Sequence, residues 1–99
     1  GKGNGAKPDK VENFIALRSS PEKYGERRSI WFKWQQNSDA DGYVIYWGKS
    51  PDKLYGSIMV YGKTEYYFNG LDRSDVYYFQ IEAFNNNGIG PKSEIKKAE

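Results

Sequence analysis

The residues that could do chemistry in this 99-residue chain are few and can be taken in turn. Asn37–Gly42 reads N-S-D-A-D-G. Asn37, Asp39 and Asp41 at alternate positions before Gly42 open like a calcium-binding loop. Such a loop closes on a bidentate Glu at its twelfth position, which here is Gly48. No helical period flanks it. Asn and Asp side chains also bond their own backbone two residues on, so an Asp-rich turn is the reading adopted. Paired carboxylates for glycosidic chemistry would have to face each other across a cleft, and Glu82 has no evident partner in the sequence. There is no Cys and no His. Disulfides, zinc–thiolate sites, thiol nucleophiles and Ser-His-Asp catalysis are therefore excluded within the chain, as is the usual acid–base group near neutral pH. No catalytic residue, metal ligand or cofactor site is expected.

Two other stretches are weaker still. G-K-G-N-G at the start has phosphate-loop glycine spacing, but no strand precedes it and no helix follows. L-D-R-S-D, Leu71–Asp75, is only loosely like an integrin-type tripeptide and reads as a corner. Charge adds little: 15 basic and 13 acidic residues leave a net +2. That balance argues against nucleic acid or an anionic membrane as partner. No apolar run is long enough for a membrane helix, and no signal peptide is visible. The chain begins with Gly1 and is read as part of a longer protein whose targeting signal lies elsewhere.

What remains is aromatic surface. Aromatics make up 17% of the chain, with nine Tyr and three Trp. Val76–Phe84, V-Y-Y-F-Q-I-E-A-F, puts Tyr77, Phe79, Ile81 and Ala83 on one face of a strand. Tyr78, Gln80, Glu82 and Phe84 fall on the other. Large rings on the face that should be wet suit cross-strand pairing, a protein interface or a sugar platform.

The elements that position these residues are short. After a Gly-rich tail at 1–8, read as a flexible linker, residues 9–99 form one domain. Val11–Arg18 is a first run and S-S-P-E-K-Y-G-E a loop. S-I-W-F-K-W alternates Ile30, Phe32 and Trp34 against Trp31 and Lys33. G-Y-V-I-Y-W-G places Tyr43, Ile45 and Trp47 on one face. L-Y-G-S-I-M-V-Y-G is a strand weakened by Gly56. T-E-Y-Y-F-N-G-L sets Tyr66 and Phe68 opposite Tyr67. With Val76–Phe84 and Lys92–Lys97 this makes seven strands, turn signals every eight to twelve residues, and no competing helical period. The pattern is that of an all-β, seven-stranded antiparallel sandwich.

Several runs, in order, resemble the fibronectin type III family. L-D-R-S-D-V-Y-Y-F-Q-I-E-A is similar to its Leu, turn and Tyr-x-Phe-x-Val-x-Ala strand. S-I-W-F-K-W is similar to its second strand, ending in the core Trp, here Trp34. T-E-Y-Y-F-N-G-L resembles its Thr-x-Tyr-x-Leu-x-Gly-Leu run, and N-N-N-G-I-G-P-K-S its last hairpin. K-P-D-K-V-E-N-F-I-A-L resembles the Pro-led first strand. The resemblance spans Pro8 to about Ile95. It departs where the family's Pro-Gly-Thr after Leu71 is here Arg73, Ser74 and Asp75, which predicts a looser corner. It implies an immunoglobulin-like core signature of Trp34, Tyr43, Leu71, Tyr77 and Phe79, and a Tyr77 hydroxyl bonded to backbone near Leu71. The rest of the predicted core is Phe14, Ala16, Ile30, Phe32, Ile45, Trp47, Tyr66, Phe68, Ile81 and Ala83.

The same resemblance orders the outward residues. Tyr46 is expected beside Tyr78, and Trp31 beside Tyr67 with Ile15 or Leu17 alongside. The stretch Tyr43–Gly62 resembles C-terminal accessory modules of bacterial glycoside hydrolases of the xylosidase/arabinofuranosidase kind. It implies a non-catalytic spacer and docking domain of a secreted polysaccharide-degrading enzyme, extracellular or periplasmic. Its first partner would be the neighbouring catalytic domain, and polysaccharide a second; the isolated domain would be a monomer. A carbohydrate-binding module using the same aromatics, or a protein-binding adhesion or receptor-type module, are the alternatives.

Overall fold

The structure, a computed structural model, describes residues 6–18, 28–72 and 74–98. The loop read at S-S-P-E-K-Y-G-E, the first five residues of the tail, and Arg73 of the corner lie outside the described residues.

Eight strands are present in chain order: β1 Ile15–Arg18, β2 Ser29–Lys33, β3 Gly42–Gly48, β4 Gly56–Val60, β5 Glu65–Asn69, β6 Tyr77–Asn85, β7 Gly88–Ile89 and β8 Lys96–Ala98. They form two antiparallel sheets, one ordered β1-β2-β5 and the other β4-β3-β6-β7, with β8 also pairing β6. The strand beyond the expected seven is the short β7. It turns back at once from β6, so that Phe84 opposes Ile89 and Asn85 opposes Gly88. The final run, expected over 92–97, pairs only at Lys96–Ala98.

The core between the sheets is the set that alternation selects. Phe14, Ile30, Phe32, Trp34, Tyr43, Ile45, Leu71, Tyr77, Phe79, Ile81 and Ala83 are all buried, with Val11, Val60 and Ala98 added. Ala16, Tyr66, Phe68 and Trp47 pack against this cluster but are only partly buried. Phe32 meets Phe79 edge-on at 4.9 Å, and Trp34 meets Tyr43 at 5.3 Å. Such ring pairs stabilise beyond simple burial.

The first predicted run is interrupted. Asn13 has φ 58°, in the left-handed region, which Asn enters more readily than most residues, and its Nδ2 donates to Gln35 Oε1 at 2.8 Å. Pairing therefore starts only at Ile15. The kink lets Val11 and Phe14, three residues apart, both point inward, which straight alternation forbids.

Gly56, expected to weaken its strand, has a packing role instead. Trp47 lies directly opposite it. A Cβ at Gly56 would fall inside the Trp47 indole. The missing side chain lets the ring lie across β4, which also explains why Trp47 is half-buried and not enclosed.

Residues 6–8, read from composition as the end of the tail, lie against the sandwich. Pro8 is fully buried. The Ala6 carbonyl accepts from Asn85 Nδ2 at 3.1 Å and from Asn87 Nδ2 at 2.9 Å.

Candidate functional site

The outer face of the three-stranded sheet gathers the residues singled out in the sequence. β1, β2 and β5 are each short and alternate, so one parity faces water on all three. Register sets Leu17 opposite Trp31 and Trp31 opposite Tyr67. These three form a continuous row, 52%, 41% and 59% exposed respectively. Ile15, 47% exposed, opposes Lys33, which opposes Glu65, making a second row beside the first. The second row holds the first in place. Trp31 Nε1 donates to Glu65 Oε1 at 3.2 Å, and Lys33 Nζ sits 5.1 Å over the indole. Of the two aliphatic residues expected as alternatives beside Trp31, Leu17 stands directly opposite it and Ile15 lies in the next row.

The outer face of the other sheet differs from expectation. Tyr46 and Tyr78 are not cross-strand partners: Tyr46 opposes Gln80 and Tyr78 opposes Gly48. Alternation gives the face of a residue but not its lateral register. Tyr46 leans the other way along the strand and donates its hydroxyl to Glu82 Oε2 at 2.5 Å. Glu82, which had no visible partner in the sequence, is only 3% exposed although it sits on the outward face. Lys92 explains part of this cover: its ammonium lies 5.0 Å over the Tyr46 ring, reaching across from the segment beside β6. Gln80 Nε2 donates to the Ser93 carbonyl at 2.9 Å. This face is a covered polar cluster, not a wet aromatic pair. Burial, the Glu82 hydrogen bond and the Glu82 charge together push the Tyr46 hydroxyl up to about 12. At the far end of the same face, Gly42 lets the rings of Tyr61 and Phe84 meet edge-on at 5.7 Å.

The corner keeps its tyrosine. Tyr77, 3% exposed, accepts from the Asp72 N–H at 2.8 Å, next to Leu71 as the family pattern implies. Further side chains converge on this corner. The Arg18 guanidinium donates to the Asp72 carbonyl at 2.5 Å and also to the Asp75 carbonyl, while lying 5.1 Å over the Tyr77 ring. Lys49 Nζ pairs with Asp75 at 2.9 Å and with Asp72 at 3.7 Å. The Lys49 hydrogen bond holds the Asp75 carboxyl below its usual range, and Asp75 in turn raises Lys49. No local motif announces this clamp, because Arg18 and Asp75 are distant in sequence.

Asn37–Gly42 is built as a turn. Asn37 Oδ1 accepts from the Asp39 N–H at 3.0 Å, and its Nδ2 donates to the Asp9 carbonyl at 2.8 Å. The Ala40 N–H closes the turn on the Asn37 carbonyl at 3.0 Å. The side chain that would open a calcium loop is thus spent on backbone. Among the described residues, no three acidic, His or Cys side chains gather as a metal site, and no helix is long and apolar enough to cross a membrane.

Comparison with known proteins agrees with this geometry. A search of curated protein sequences gives no match. Several solved structures share the fold. Chicken CNTN1 FN1-FN3 domains match with TM-score 0.74 at 20% identity over 92% of this chain, which spans only 32% of theirs. An Fn3-like protein from Clostridium thermocellum matches with TM-score 0.74 at 18% identity, covering 95% of this chain and 91% of that one. The FN5 domain of Drosophila Lar matches with TM-score 0.67 at 21% identity, over 92% and 96% of the two chains. Residues 23–99 match the fibronectin type III domain family, whose members are generally non-catalytic modules of protein binding or spacing. With the sandwich, the Trp34 core and the Tyr77 corner in place, the chain belongs to the fibronectin type III family.

Proposed function

We propose that this domain is a non-catalytic spacer and docking module whose contact surface is the outer face of the β1-β2-β5 sheet, centred on Trp31. The observation that carries the reading is the exposed row Leu17, Trp31, Tyr67, with Ile15 beside it. Contiguous apolar surface of this kind marks contact sites, and Trp and Tyr are the types that dominate interface energetics. Trp31 is already held by Glu65 and Lys33, so docking would cost little further side-chain freedom. Lys33 also occupies one face of the indole, which favours a protein partner over a stacked sugar ring.

The partner proposed is a neighbouring domain of the parent protein, and the parent a secreted bacterial polysaccharide-degrading enzyme working outside the cell or in the periplasm. The resemblance of Tyr43–Gly62 to glycoside hydrolase accessory modules supports that setting. Iodide quenching of Trp31, taken as the difference between wild type and Trp31→Phe because Trp47 is also half-buried, tests the docking. Trp31 should be open in the 99-residue domain and shielded in the parent protein. Trp31→Ala should shift the domain's stability by under about 1 kcal/mol yet loosen the module from its neighbour in limited proteolysis. Equal accessibility in domain and parent would refute docking. Protection of Trp31 by xylan or arabinan fragments would put the sugar platform in its place.

A further inference from the structure

We propose that the open edge of β4 is a strand-addition site for an extended peptide that carries a bulky apolar residue between acidic flanks. This site lies on the other sheet from Trp31 and is independent of it.

The hydrogen-bond phase identifies the free groups. The Gly90 N–H donates to the Ala83 carbonyl and the Ser93 N–H to the Ile81 carbonyl, both at 2.8 Å. The odd-numbered residues of β6 thus turn their main chain away from β3. Bonding alternates along an antiparallel pair, so Val44, Tyr46 and Gly48 face β6, and Tyr43, Ile45 and Trp47 face β4. Their partners there are Val60, Ile58 and Gly56. That leaves the N–H and C=O of Ser57 and Met59 pointing outward from the last strand of the sheet.

Edges of this kind are normally blunted by charge, Pro or a bulge. From Leu54 to Gly62 the sequence has no charge and no Pro, and β4 pairs in unbroken register. Beside the edge is an apolar recess of about 350 Å³, lined by Trp47, Gly48, Tyr55 and Gly56 and rimmed by Lys49 and Lys53. It exists because Gly56 lets the Trp47 indole reach the rim. Phe68 and Tyr77 back that indole at 5.5 and 6.0 Å. In strand addition the main chain supplies affinity and such a recess selects a side chain.

Charge decides the occupant. Lys53 and Lys63 bracket the uncharged strand, with no carboxylate between them. They call for acid at both ends of the incoming segment. They also oppose a second copy: the antiparallel register of fullest overlap, centred on Ile58, would set Lys53 against the other copy's Lys63, and directly opposed like charges destabilise a strand pair.

The test is an NMR titration of the ¹⁵N-labelled 99-residue chain with two capped peptides, EVTFTVE and KVTFTVK. The acidic peptide should give saturable shifts at the Ser57 and Met59 amides and the Trp47 indole N–H. The basic peptide should bind at least about tenfold more weakly at low salt. Met59→Pro removes only an outward N–H, which an edge strand tolerates, and should abolish binding while the rest of the spectrum is retained. The double variant Lys53→Glu/Lys63→Glu leaves the backbone alone and should invert the preference between the peptides. Absence of saturable shifts on β4 with either peptide at millimolar concentration would overturn the proposal. So would shifts confined to the Trp31 row, unaltered binding by either variant, or peptide-free dimerisation through β4 in sedimentation.

Discussion

Replacing Tyr77 by Phe removes one oxygen from the corner and leaves the ring in the core. That oxygen accepts the Asp72 N–H at 2.8 Å. A net intramolecular hydrogen bond contributes about 0.5–1.5 kcal/mol, and a donor left buried and unpaired costs more. Asp72 is an exposed residue, so its freed N–H can take a water and the lower range applies. For a domain of this size about 1 kcal/mol corresponds to a fall of roughly 4 °C or more in Tm. Arg18 grips the same residue through its carbonyl, in the next peptide group. Arg18→Met keeps the aliphatic stem and should cost roughly 1 kcal/mol. Because both side chains hold Asp72, the double variant should depart from the sum of the single effects by about 0.5 kcal/mol or more. Urea unfolding followed by fluorescence would measure all three, at an unchanged slope. Strict additivity, or a Tyr77→Phe midpoint indistinguishable from wild type, would refute the idea that the Arg18 clamp and the hydroxyl secure one corner together.

Gly56→Ala should cost about 1–3 kcal/mol in the same assay, since the new methyl must displace the Trp47 indole; a neutral result would mean the indole has room to move. Tyr46 should ionise near pH 12 in tyrosinate absorbance, above its ordinary 10.0, and Glu82→Gln should lower that value. Since the folded value is raised, the stability it contributes is present below about pH 10 and lost as pH rises towards 12; an unaltered alkaline melt in Tyr46→Phe would contradict this. Calcium or a chelator should leave Tm unchanged, because the Asn37 side chain is committed to its turn; a saturable rise that Asp39→Asn removes would reverse that reading.

Period-two alternation makes the inward set legible, and with it the sandwich, because a slip of one residue would bury Lys33 and Glu65 in place of Phe32 and Tyr66. The row of Leu17, Trp31 and Tyr67 was legible for the same reason, helped by the order of strands that the family resemblance implies. Tyr46 and Tyr78 were misplaced because the stagger between β3 and β6 is set by pairing between residues far apart in sequence, such as Tyr46 with Gln80, not by local pattern. The cover over Glu82 depends on Tyr46 arriving from β3 and Lys92 from the segment between β7 and β8, and the Arg18 clamp on contacts more than fifty residues apart. The role of Gly56 is invisible until Trp47 is known to lie opposite. Asn13 is a single residue whose backbone sign shifts the parity of everything before it.

The described chain arrives and departs at opposite poles. Ala6 is tied to Asn85 and Asn87 at one end of β6, and Ala98 pairs with Tyr77 at the other. The nine residues of β6 separate these poles by about 26 Å at a rise of roughly 3.3 Å per residue. β1 runs towards the second pole, where Arg18 grips the corner, and β8 runs out towards the same pole. A pull between the two ends therefore acts along β1 and β8 and slides each past its neighbour, β2 or β6, straining several ladder bonds at once. Tension applied at the tip of the β6–β7 turn would open its two pairs one after the other. The fold is thus oriented to carry tension along its length and to yield sideways.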